Sequence, residues 1–284
     1  MRMMKRVGLK VLVLCLAAAT SCTTLTQNRI GAPVPFVTTP PRVVSEMLRL
    51  ADVSPGDIVY DLGSGDGRIV IAAARDYGAR AVGVEIDPKL VQESVRNAES
   101  AGVSSRVRFI QQDLFQVDMG EATVVTLFLL PGVNVMLAPK FVKELRPGTR
   151  IVSYLHDMGE WQPDKTIRID TSSVYYWVVP ADVSGTWTLQ VQKAEGMSPQ
   201  ILSLRQAYQK LSGSVRLHGK RLDLRDPRID GDHLSFTTSG TVGGESVGMH
   251  FSGSVRDGQA AGVVVVEGGT FSGSHQWVGQ RSPK

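Results

Sequence analysis

Cysteine is nearly absent. Among 284 residues only Cys15 and Cys22 occur, both near the amino terminus. The rest of the chain therefore offers no disulfide framework, no cysteine zinc site and no thiol nucleophile, and no metal site is expected. Aromatic residues are sparse at 6% and charged residues make up 20%, yet 42% of the chain is hydrophobic, enough for a folded core. A basic excess is lacking as well. The formal charge of +4 is matched by Arg2, Lys5, Arg6 and Lys10 alone, so the remainder is balanced and no nucleic-acid partner is expected.

Residues 1–22 have the form of a secretory leader. MRMMKR is basic, Val7 to Ala19 is apolar apart from Lys10, and small residues precede Cys22. The apolar stretch is shorter than the ~20 residues that span a bilayer comfortably. The segment resembles a bacterial lipoprotein signal, which implies lipidation at Cys22, membrane attachment through the amino terminus and a place in the cell envelope. Which side of the membrane the protein faces is left open. Residues 23–32 read as a polar linker.

From residue 33 to 180 strands and helices alternate. Asp57 to Leu62, Ala81 to Ile86, Arg106 to Gln111, Thr123 to Leu130 and Thr149 to Leu155 read as strands. Arg68 to Tyr77 and a segment from Pro88 to about Gly102 read as helices, with Asp87 as the cap of the second. Thr39 is expected to cap an earlier helix that has Pro40 in its first turn. Pro131 to Leu145 has a helical pattern that Pro139 is expected to split or kink. Ile167 to Ile169 and Val174 to Val179 can pair as a hairpin. This order predicts an α/β fold with a parallel sheet and helices on both faces. Residues 181–284 differ: they hold 16 of the 29 glycines, and short alternating segments predict a small antiparallel all-β domain, a meander or a barrel.

The first strand runs into Asp61-Leu62-Gly63-Ser64-Gly65-Asp66-Gly67-Arg68. Glycines here let the backbone turn sharply and approach a ligand, and open parallel sheets bind ligands outside the carboxyl ends of their strands. The spacing is G-x-G-x-G, not the G-x-G-x-x-G of dinucleotide sites, and no Walker lysine follows. A carboxylate at Asp61 would repel a pyrophosphate but attract the cationic amino and sulfonium groups of S-adenosylmethionine (AdoMet). Glu85, at the end of the second strand, suits the ribose hydroxyls, and Asp113, at the end of the third, suits the adenine amino group. Asp61, Gly63, Ser64, Gly65, Gly67, Glu85 and Asp113 are thus the expected cofactor residues.

Val34 to Pro40, DLGSGDGRIVIAAA (Asp61 to Ala74) and Gly83 to Pro88 together resemble the protein-lysine methyltransferases related to the ATP synthase c-subunit lysine N-methyltransferase, a group that includes broad-specificity prokaryotic enzymes. The resemblance covers about residues 33–165. It implies a Rossmann-like seven-stranded class I methyltransferase sheet, AdoMet as cofactor, and a protein substrate with an accessible lysine. It also implies that Pro35, Thr38 and Thr39 close over the site. Thr126 to Pro131 (TLFLLP) stands where amino-methyltransferases often carry Asn/Asp-Pro-Pro, and only Pro131 matches. The backbone carbonyls of Leu129 and Leu130 are then the candidates for orienting the amine. His156, Asp157 and Glu160 follow the fifth strand and are candidates for removing a proton, and Trp161 for a pocket wall. Two alternatives stay open: a small-molecule methyltransferase on the same scaffold, and a non-catalytic envelope lipoprotein that binds a ligand or partner.

Overall fold

The computed structural model describes residues 37–192, 199–217, 219–242 and 244–283. The leader, the linker, Cys22 and Pro35 lie outside the described residues. Among the described residues no helix is long and apolar enough to cross a membrane.

Seven strands, β1 (Ile58–Leu62), β2 (Arg80–Glu85), β3 (Val107–Gln111), β4 (Val124–Leu127), β5 (Arg150–Tyr154), β6 (Lys165–Ile169) and β7 (Ser172–Val178), form one sheet in the order β3-β2-β1-β4-β5-β7-β6. The first five are parallel, and β7 runs antiparallel between β5 and β6. This is the expected class I methyltransferase sheet with its closing hairpin. Helices α1 (Pro41–Leu50), α2 (Arg68–Tyr77), α3 (Pro88–Ser100) and α4 (Pro131–Glu144) cover it. Val43, Val44, Met47 and Leu48 of α1 share a core with Ile69, Val70 and Ala73 of α2. In another cluster Leu137, Ala138 and Phe141 of α4 pack with Leu62, Leu127, Ile151 and Trp177.

Three local expectations need correction. Thr39 does not cap α1: Pro40 is the N-cap and Pro41 the first helical residue, and Thr39 is buried with its carbonyl bonded to Arg68. The fourth strand stops at Leu127, where its pairing with Leu62 of β1 and Ser153 of β5 ends, so Phe128 to Leu130 form a loop. Pro139 does not split α4, which is continuous around it. Pro139 and Val135, the residue whose carbonyl loses its partner, are both exposed, so water can replace the missing donor.

The carboxyl-terminal strands are β8 (Gly185–Val191), β9 (Gln200–Ala207), β10 (Lys210–Leu217), β11 (Lys220–Asp223), β12 (Arg225–Asp230), β13 (His233–Val242), β14 (Glu245–Arg256), β15 (Gln259–Glu267) and β16 (Gly273–Arg281). All neighbours are antiparallel, and β9 pairs with both β8 and β10, which closes the sheet into a barrel. The other edge of β10 is shared by β11 and β12. Closure pairs most of the edges that would invite aggregation, and among the described residues the short β11 pairs on one side, with β10. Trp187, Leu204, Phe236, Phe251 and Trp277 fill the interior.

Candidate functional site

Asp61 pairs across the sheet with Gly83 and with Thr126. That register sets its carboxylate against the Thr126 hydroxyl, which donates to Asp61 Oδ1 at 2.7 Å. Asp61 is only 3% exposed, and among the described residues no cation faces it. Burial raises its pKa to about 7; the hydrogen bond from Thr126 pulls the other way, and the charges of Glu85 and Asp66 push it up further.

The glycine loop follows at once. Gly63, Gly65 and Gly67 all have left-handed backbones, with Gly67 as N-cap of α2. Gly63 also admits a close approach, because a Cβ there would stand 2.8 Å from Leu129 Cδ2. Ser64 Oγ is buried and has no hydrogen-bond partner among the described residues. A buried carboxylate that faces no cation among the described residues and, three residues on, a buried hydroxyl with no partner among them are costly unless a ligand completes them. Ammonium and polar groups at the methionine end of AdoMet have the chemistry to do so.

Glu85 stands where the sequence places it, the last residue of β2. One of its oxygens accepts from the Gly65 backbone at 3.0 Å, the other from Ile86 and Asp87 at 2.8 and 3.0 Å. It thereby ties the glycine loop to the start of α3. Asp113 lies two residues beyond β3, not at its end, and accepts from the backbone of Phe115 at 2.9 Å. Asp61 and Glu85 thus sit at the carboxyl ends of adjacent strands, and Asp113 in the loop after the third.

On the other flank the sequence candidates fare unevenly. The Leu130 carbonyl accepts the first bonds of α4, from Val133 and Asn134 at 3.0 and 3.2 Å, so it is not free to orient an amine. Pro131 opens that helix and the Leu130 side chain is exposed. The His156 carbonyl accepts from Ser153 Oγ and Asn134 Nδ2, at 2.6 and 2.9 Å. Trp161 is fully buried, packed on Trp177 and Tyr208, and so belongs to the core and not to a pocket wall. Thr38 is exposed, while Thr39 is held by Arg68.

Five contributors are missing from the sequence candidates. Thr126 is the one polar residue of β4, a signal that was visible. Asp66 grips Arg68 through two hydrogen bonds of 2.9 and 2.5 Å, and Arg68 Nη1 donates to the Thr39 carbonyl at 2.9 Å, which fastens the segment before α1 to the glycine loop. Asn97 Nδ2 donates to the Asp66 carbonyl at 3.0 Å. Asn134, buried on α4, supports the turn after β5. The last three join residues distant in sequence, and no local pattern announces them.

The sheet order, the glycine loop and the strand-end acids define an AdoMet-dependent methyltransferase. The family model of the ANTKMT methyltransferase domain matches residues 61–165. A protein-lysine N-methyltransferase of Saccharolobus islandicus is 48% identical over 151 residues, 51% of this chain and 94% of that protein. The mouse lysine N-methyltransferase of the ATP synthase c-subunit is 34% identical over 181 residues, 58% of this chain and 72% of its own length. Among solved structures, a protein of Salinibacter ruber described as an RNA methyltransferase in complex with S-adenosyl-L-homocysteine shares 55% identity with a TM-score of 0.51, covering 52% of this chain and 96% of that one. The chain belongs to the ANTKMT methyltransferase family.

Proposed function

We propose that the protein methylates the Nζ of lysine side chains in a protein substrate. The observation that carries this reading is the charge of the cleft. The stretches that follow the carboxyl ends of β1 to β5, residues 63–67, 86–87, 112–119, 128–130 and 155–162, contain Asp66, Asp87, Asp113, Asp118, Asp157 and Glu160 and no lysine or arginine. The nearest cation in the glycine loop, Arg68, is engaged by Asp66. Such a rim draws a cationic side chain and repels the phosphates of RNA. The named activities of the Saccharolobus and mouse relatives point the same way, and that of the Salinibacter protein points to RNA.

In this reading Asp61 and the loop Gly63 to Gly67 hold the methionine end of AdoMet, Glu85 the ribose and Asp113 the adenine. Bound AdoMet supplies an electrophilic methyl on a sulfonium, and the amine takes it in line as the carbon–sulfur bond breaks. Alignment of donor and acceptor is the main catalytic demand. The amine must be neutral to react, against a free lysine pKa of about 10.4. A sulfonium neighbour and partial desolvation both lower that value. Leu129 and Leu130 then flank the methylene stem, and His156 is the one imidazole in these loops.

The test is the fate of label from methyl-labelled AdoMet in a mixture of protein and RNA. The account expects label in protein, lost when the lysines are acetylated beforehand. Label that survives acetylation, or that a ribonuclease releases, contradicts it. The leader supports an added proposal, attachment to the envelope through Cys22. Fractionation of cells carrying Cys22→Ala should move the protein out of the membrane fraction, and an unchanged distribution would refute the lipid.

A further inference from the structure

We infer that the barrel acts on the catalytic half through one hairpin, the tip joining β9 to β10, which positions the loop on the acceptor side of the cleft. The inference rests on the proposed function, with the acceptor amine taken to lie beside residues 155–162, the loop that carries His156.

The loop leaves β5 at Tyr154 and returns to the sheet at Lys165. Leu155 and Gly159 within it have left-handed backbones. Its first turn is held from beneath by Asn134 and Ser153, which both bond to the His156 carbonyl. Its second half is held by the barrel. The Tyr208 ring stacks on Trp161 with centroids 5.1 Å apart and planes 5° from parallel. Gln209 Nε2 donates to the Gln162 carbonyl and to Asp164 Oδ1. From the sheet, Trp177 Nε1 donates to the Trp161 carbonyl at 2.8 Å.

The hairpin is built for this contact. Tyr208 adopts a φ of 55°, a left-handed conformation that favours glycine, asparagine or aspartate over a bulky aromatic residue. Backbone strain of this kind persists where surrounding contacts over-determine it. Here Gln206 supplies them: its Nε2 donates to the Tyr208 carbonyl at 2.8 Å and to the Ala181 carbonyl at 2.9 Å, and its Oε1 accepts from Val183 at 2.8 Å. One side chain thus fixes the hairpin tip to the segment that leads into the barrel. Tyr208 and Gln209 are positioning residues, since they act on the cleft through Trp161 and Gln162.

Tyr208→Gly in the full chain tests this, because glycine keeps the left-handed backbone and removes only the ring. Hydrogen exchange of amides 157–162 should quicken by about tenfold or more. The KM for the protein acceptor should rise while AdoMet binding stays at the parental value, and Tyr208→Phe should restore both parental exchange and parental KM. Parental exchange in Tyr208→Gly overturns the inference. So does faster exchange with an unchanged acceptor KM, and so does a Tyr208→Phe variant that behaves like Tyr208→Gly. If the parent transfers methyl to no protein lysine, the lysine reading falls, and the exchange arm still decides whether the hairpin holds the loop.

Discussion

Asp61 faces two opposing demands. Burial and two neighbouring acids favour its neutral form, while the ammonium that the proposed binding mode sets beside it requires the anion. A carboxyl raised to about 7 in the folded protein binds protons there that the unfolded chain, near the ordinary aspartate value of about 3.9, has already lost. Its contribution therefore favours the unliganded fold at acid pH, and the benefit is lost as pH rises through that interval. Cofactor binding has the opposite sign. Below about pH 7 the anion must be formed on binding, so a proton is released and affinity falls as the solution is acidified. Calorimetric titrations in buffers of different ionisation heat should show this proton release, with AdoMet binding tighter at pH 8 than at pH 6. Affinity independent of pH over that range would place the ammonium elsewhere.

At the scale of elements, α4 offers a clean experiment. Pro139 lies inside the helix and is exposed, and its ring fills no core. Pro139→Ala should restore the bond to the Val135 carbonyl and stabilise the protein by up to about 3 kcal/mol, read as a higher melting temperature with AdoMet binding unchanged. A lower melting temperature would mean that the helix is shaped around the proline.

Elements were legible in the sequence where local signals agreed with the fold. The bounds of α2 follow from Gly67 and Gly78, both left-handed, at its two ends. Asp87 and Pro88 announce α3, and the Asp87 side chain does cap it. The barrel was harder. β10, β12 and β16 do not announce themselves by alternation, because inward positions that would show it are taken by other residues. Gly213 of β10 faces the interior where a Cβ would lie 2.1 Å from the Ser203 carbonyl. Gly279 of β16 sits beneath Leu189 and Trp277. β12 carries Pro227 at an irregularity between Arg225 and Arg228. In the cleft, Asp61 and Glu85 were readable because strand ends and a glycine loop mark them. The Arg68–Thr39 and Asn134–His156 contacts arise only when distant segments meet.

For the molecule as a whole, the balanced charge hides a separation. Acids stand in the loops that follow β1 to β5, whereas residues 201–228 of the barrel carry Arg205, Lys210, Arg216, Lys220, Arg221, Arg225 and Arg228 against Asp223 and Asp226. Lys210 stands directly opposite Arg228, and Arg216 opposite Arg221. Like charges across a ladder are unfavourable, so neither strand choice serves the barrel's own stability. Under the proposed function, this separation steers a cationic substrate away from the basic strands and toward the acidic loops.

The most direct test of the account is titration of the protein with AdoMet, for the parent and for Glu85→Gln. Glutamine keeps the size of the side chain and removes the charge that the ribose hydroxyls would meet. The account predicts micromolar binding by the parent and a loss of about tenfold or more in the variant, in line with the weight of charge-assisted hydrogen bonds. A folded parent that binds no AdoMet, or a variant that binds as tightly as the parent, would contradict it.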